Sequence, residues 1–115
     1  MIDKACQTFV SDCHVRAAAE LIRHAWDPVV LSALRLGPTR RNELLGRIGG
    51  VSDKVLTQSL QRLQDHGLVT RARTSAHAVA VYQLSTLGES FANGPLAQLA
   101  QWAADNQADL VGPVN

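Results

Sequence analysis

Lys54, Thr57, Gln58 and Gln61 carry side chains suited to reading another molecule, and they recur at helical spacing. At about 100° per residue they share one side of a helix, opposite Leu56, Leu60 and Leu63. Their chemistry matches the base edges of duplex DNA. A Gln amide pairs with adenine, a Thr methyl packs on the thymine methyl, and a Lys ammonium reaches guanine or phosphate. Ser52 and Arg62, which bound this segment, are expected DNA contacts with it, and most of the specificity is expected from Ser52 to Arg62. Arg40, Arg41, Arg71 and Arg73 lie near it in sequence and suit phosphate oxygens, which set register and affinity without carrying sequence information. His77, the titratable residue of the expected hairpin tip, is a further expected DNA contact. The bland explanations are a solvated helix face and edge-strand charges that deter aggregation.

The charge distribution fits contact with DNA and a merely solvated charged surface about equally. The 115-residue chain has a net charge of only +1. Between Arg35 and Arg73, however, eight basic residues stand against three acids, while the flanks hold three bases against seven acids. A basic middle of about +5 between flanks of about −4 is the footprint of a segment that meets an anionic polymer.

Other chemistries find little support. There is no phosphate-binding glycine loop, no Gly-x-Ser-x-Gly elbow, no His-Glu-x-x-His and no paired acids on one helix face, so an enzyme is not expected. Cys6, Cys13, His14 and His24 are thiolate and imidazole donors suited to zinc, but their spacing is irregular and no Cys-x-x-Cys occurs. No metal and no cofactor is expected. The two cysteines are too few for a disulfide-built secreted fold. Cys13 precedes a helical pattern whose dipole, with His14 or Arg16, can favour a thiolate, although a free cysteine is more often a small buried hydrophobe. The N-terminus lacks the apolar core of a signal peptide and no stretch is apolar enough to span a bilayer, so a cytoplasmic protein without membrane contact is expected.

The elements that must position these residues follow from periodicity. Val15, Ala18, Ala19, Ile22 and Ala25 mark a first helix over His14 to Ala25. A second is predicted from Asp27, as N-cap carboxylate before Pro28, to Gly37-Pro38. A short third helix through Glu43, Leu44, Leu45 and Ile48 takes Asn42 or Thr39 as cap and stops at Gly49-Gly50. The fourth, capped by Ser52, has Asp53 at the positive end of its dipole, a Val51–Leu56 staple, and Gly67 as its C′ residue. A period of two then predicts a hairpin, with Leu68 to Arg73 paired to Val79 to Leu84. Helical pattern resumes at Ser85 and runs through Leu87, Phe91, Leu96, Leu99, Trp102, Ala103 and Leu110, with a kink or restart at Gly94-Pro95.

Helix, short helix, glycine turn, helix and hairpin is the order of a winged helix. At this level the chain resembles the HxlR-type family of bacterial winged helix-turn-helix transcriptional regulators, relatives of the MarR group. The resemblance lies in Cys13-His14-Val15, Trp26, Leu36-Gly37-Pro38, Glu43-Leu44, the run Ser52 to Gln58, Leu60, Leu63, the run His66 to Val69, and the run Tyr82 to Gly88. It implies a homodimeric repressor or activator on double-stranded DNA, with the first and last helices forming the dimer. It also implies that Cys13 matches an N-terminal cysteine with which several members sense oxidants or electrophiles, Cys6 being a candidate resolving partner. The chain departs from the family in having Arg41 where a buried aromatic is usual, Ala25 where lysine is common, and a hairpin tip without the usual Pro-Arg run.

The expected architecture is therefore α+β, mainly α: a winged helix-turn-helix with terminal dimerisation helices. Residues 1–12 form an arm, 13–111 the domain and 112–115 a tail. Val15, Leu96, Leu99, Trp102, Ala103 and Leu110 are the expected dimer contacts, the stripe of Leu96, Leu99, Ala103 and Leu110 being too apolar for a monomer surface. The partners expected are a pseudo-palindromic operator, a second copy of the chain, and an oxidant or small-molecule inducer. The rival is a winged-helix module for protein contacts that binds no DNA.

Overall fold

A computed structural model describes residues 14–73 and 79–110. In chain order the elements are α1 (His14–Leu21), α2 (Trp26–Leu34), β1 (Thr39–Arg40), α3 (Arg41–Ile48), α4 (Asp53–Asp65), β2 (Val69–Arg73), β3 (Ala80–Leu84), α5 (Thr86–Phe91), a π-helical turn (Ala92–Leu96) and α6 (Ala97–Asp105). β1, β3 and β2 form an antiparallel sheet in that order, with Thr39 opposite Tyr82 and Arg71 opposite the same Tyr82 from the other side. This is the winged-helix arrangement.

One core holds these elements together. Val30, Leu31 and Leu34 of α2 pack with Leu44 of α3 and with Leu56, Leu60 and Leu63 of α4, all at most 1% exposed. Apolar residues at a three-and-four period turn inward because each helix has one stripe to bury. Ser52 caps α4 as its sequence implies, its hydroxyl accepting from the Val55 N–H at 3.2 Å. Gly67, at φ +77°, closes the helix in the left-handed conformation that glycine adopts without a steric penalty. Ser85 then caps α5 by accepting from the Gly88 N–H and also donates to the Gly67 carbonyl, tying the end of α4 to the start of the C-terminal helices. Gly88 lies against the Leu68 carbonyl so closely that a Cβ would overlap it.

Three local expectations need correction. Asp27 does not cap the second helix. α2 starts at Trp26, with Ala25 already helical at the N-cap, and the Asp27 side chain turns into the protein. Neither Asn42 nor Thr39 caps α3, whose N-cap is the extended Arg40 with no side-chain bond. Thr39 is held in β1, where its hydroxyl donates to the Gly37 carbonyl and accepts from Arg47. α1 ends at Leu21 rather than Ala25, because the bonds Ile22 N–H to Ala19 and Arg23 N–H to Glu20 tighten the chain into turns before α2. At Gly94-Pro95, where a kink or restart is expected, the helix runs on through a π-helical turn with Pro95 inside it. A proline has no N–H to donate, and a widened turn accommodates the missing bond.

Candidate nucleic-acid interface

α4 presents two different sides. Leu56, Ser59, Leu60 and Leu63 are buried, whereas Lys54, Thr57, Gln58 and Gln61 are exposed together, with Ser52 exposed at the helix start. These four polar side chains therefore share one exposed surface. Gln61 also donates to Asp65 at 2.9 Å, which orients its amide along the helix. Arg40 and Lys54 are exposed and, among the described residues, their side chains make no hydrogen bond or ion pair, so both are available to an anion.

The other cations of the basic segment are more occupied than a charge count suggests. Arg41 is half-buried and lies across the first turn of α4. Its Nη1 donates to Asp53 Oδ1 at 2.7 Å, and its Nη2 donates to the Asp53 carbonyl at 2.8 Å and to Thr57 Oγ1 at 2.7 Å. The position read as a phosphate contact instead links the start of α3 to the start of α4. Arg35 donates to Asn93, and Arg47 to the Ala33 carbonyl and Thr39.

Arg62 is drawn inward in the same way. Its Nε donates to Asp27 Oδ2 at 3.0 Å and its Nη2 to Asp27 Oδ1 at 2.9 Å, while the Ser59 hydroxyl donates to Oδ1 at 2.6 Å. The hydrogen bond to Asp27 raises the Arg62 pKa above its ordinary value; burial opposes this and the charge of Asp27 adds to it. Arg62 thus serves the packing of α4 against α2, its guanidinium committed to Asp27 at the edge of the exposed face. Sequence reasoning missed Asp27 and Ser59. The signal was a serine at the centre of an otherwise leucine stripe, since a buried hydroxyl requires a partner.

The wing is a five-residue pair of strands. In β2 only Val69 is buried, and Arg71 and Arg73 are exposed. Arg71 stacks over the Tyr82 ring with its guanidinium carbon 6.0 Å from the centroid, which orients the cation while leaving it accessible. His77, Cys6 and Cys13 lie outside the described residues.

The expected dimer residues divide. Val15, Leu99 and Trp102 are 70%, 48% and 56% exposed, and Ala103 and Leu110 are partly buried. Leu96, at 6% exposed, belongs to the core of its own protomer because the π-helical turn rotates it inward. Among the described residues no group of three or more metal-ligating side chains occurs, and no helix is long and apolar enough to cross a membrane.

The HxlR-like helix-turn-helix family matches residues 21–110, which includes every element from α2 to α6. This chain belongs to that family. The HxlR-like chain is 35% identical over 104 residues to the uncharacterised HTH-type transcriptional regulator YtfH of Escherichia coli, covering 90% of this chain and 82% of that one. A solved structure described as a transcriptional regulator, ytfH from Salmonella typhimurium, superposes with a TM-score of 0.71 at 34% identity, over 90% of this chain and 92% of that one. The oxidised form of the redox regulator HypR shares the fold, with a TM-score of 0.73 at 22% identity, covering 82% of this chain and 97% of that one. The HxlR-like chain is thus a transcriptional regulator built on a helix-turn-helix, with α3 and α4 as the two helices of the motif.

Proposed function

We propose that this regulator binds double-stranded DNA as a homodimer, with the two copies of α4 in successive major grooves of a pseudo-palindromic operator, about 34–36 Å apart. The observation that carries the reading is the two-sided α4, in which an exposed row of Lys54, Thr57, Gln58 and Gln61 is backed by a fully packed leucine stripe. A rigid backing is what base-edge hydrogen bonds require, since they tolerate little displacement. Arg40, Arg71 and Arg73 supply phosphate contacts, with Ser52 beside the helix start and His77, which lies in sequence between the two wing strands. The second copy covers Val15, Leu99 and Trp102, with Ala103 and Leu110 at the margin.

The switch we assign to Cys13, with Cys6 as resolving thiol, rests on the family resemblance and on the position of Cys13 directly before α1. A structural neighbour named as a redox regulator agrees with it in fold alone. An oxidant or small electrophile at Cys13 would alter α1, the proposed contact between copies, and so the spacing of the two α4 helices.

Fluorescence anisotropy on a random-sequence duplex tests the DNA reading. Log affinity should fall linearly with log salt, by about 0.9 for each phosphate neutralised. Selection from a random pool should then enrich a two-fold symmetric site, and Lys54→Ala with Gln58→Ala should abolish the enrichment. Absence of duplex binding at low salt would overturn the reading in favour of a protein-contact module. For the switch, a thiol oxidant should change the affinity of the native chain and leave Cys13→Ser unaffected; equal responses remove Cys13 from it.

A further inference from the structure

Three donors converge on one carboxylate inside the protein. Asp27, in the first turn of α2, is 3% exposed, and Ser59 of α4 is fully buried beside it. Ser59 and Arg62 place three hydrogen bonds of 2.6 to 3.0 Å on its two oxygens, across 32 and 35 residues of sequence. The guanidinium engages both carboxylate oxygens at once, in the planar geometry that fixes the orientation of both groups. No buried side-chain polar atom among the described residues lacks a partner, so the cluster is complete within the chain.

A buried ion pair is a weak source of stability, because desolvating two charges offsets most of their attraction. It differs from the adjacent leucine contacts in direction. Leu56, Leu60 and Leu63 hold α4 against α2 by non-directional burial, which resists separation far more than it resists roll about the helix axis. At a helix radius of about 5–6 Å, a roll of about 20° carries the tip of an outward side chain about 2 Å. That exceeds the distance range of a hydrogen bond.

We propose that Asp27, Ser59 and Arg62 are positioning residues that fix the roll of α4, and that they set the sequence specificity of this regulator rather than the stability of its fold. The inference rests on α4 being the DNA-reading helix. The cluster meets α2 in its first turn, immediately after the turns that follow α1, so it also joins the reading helix to the end of α2 nearest the proposed dimer contact.

The test is the triple variant Asp27→Leu, Ser59→Ala, Arg62→Met, which replaces the cluster with apolar side chains and leaves net charge unchanged. Its melting temperature and its affinity and salt slope on random duplex should stay near those of the native chain. Its preference for the selected operator over random duplex should fall about tenfold, as when one well-aligned base contact is lost. Arg62→Lys keeps the charge without the planar fork, and its preference should fall about threefold. A folded triple variant with native preference overturns the proposal, and if the triple variant fails to fold, native preference in Arg62→Lys does so. A second readout needs no DNA. Spin labels at Ser32 and Gln58, both exposed, in a chain with both cysteines replaced by serine and diluted with unlabelled protein, should give a narrow distance distribution that broadens or shifts in the variants. An unchanged distribution overturns the positioning role even if duplex binding itself fails, so the two failures are separable.

Discussion

α1 and α4 carry the same kind of sequence, an apolar stripe at three-and-four spacing beside a polar face, and the fold treats them differently. α4 buries Leu56, Ser59, Leu60 and Leu63 under α2 and the sheet, while α1 has no buried residue and leaves Val15 70% exposed. Between α1 and the C-terminal helices lies an apolar hollow of about 220 Å³ lined by Ala18, Ile22, Phe91, Pro95, Leu96 and Leu99. Periodicity states that a helix has a side to bury. It does not state whether the partner lies in the same chain. For α4 the partner is internal, and for α1 we assign it to a second copy, together with the exposed Leu99 and Trp102 of α6.

The contrast can be broken at either end. The largest effect is expected from Leu60→Ala, which empties a fully packed site under α4 and should cost about 2–5 kcal/mol in urea unfolding. Val15→Ala, on the exposed stripe of α1, should leave the unfolding of a dilute, monomeric sample within about 0.5 kcal/mol. Next in size, Leu99→Asp with Trp102→Asp should convert the dimer to a folded monomer by sedimentation, since charges placed in a desolvated interface oppose association. A dimer that survives both charges would place the interface elsewhere.

Smaller effects sharpen the account of α4. Ser52→Ala removes the side-chain cap and should cost about 1 kcal/mol by thermal or chemical unfolding. The smallest change separates the two kinds of cation. Lys54→Ala should reduce the salt slope of duplex binding by about 0.9 for each copy of α4 on the duplex, about 1.8 for the dimer. Arg41→Ala should leave the slope nearly unchanged, because Asp53 already engages that guanidinium. A full loss of slope in Arg41→Ala would show that the link to Asp53 opens on DNA.

Much of the helix-turn-helix was legible because its signals are local. The Ser52 cap, the Gly67 terminus and the leucine stripe of α4 depend on contacts within a few residues, and the structure contains each of them. What was misread depends on contacts far apart in sequence. Asp27 followed by Pro28 has the form of a helix cap, yet its carboxylate finds Ser59 and Arg62 instead of its own backbone. Arg62 had been grouped with the reading face, although it lies about 90° from the centre of that face at 100° per residue. Leu96 belonged by spacing to an exposed stripe, until the π-helical turn changed the angular phase of every residue after Ala92.

The sequence by itself determined where α4 starts and stops, which of its faces is polar, and that the hairpin follows it. These are matters of backbone propensity and nearest-neighbour chemistry. Only the tertiary structure decided which charges remain available. Of eight cations in the basic segment, the side chains of Arg35, Arg41, Arg47, Arg62 and Arg73 are engaged by partners within the chain, while among the described residues those of Arg40 and Lys54 make no hydrogen bond or ion pair. A formal charge is fixed by residue type, but its availability depends on which acceptor folding brings within hydrogen-bond distance, and no local pattern encodes that.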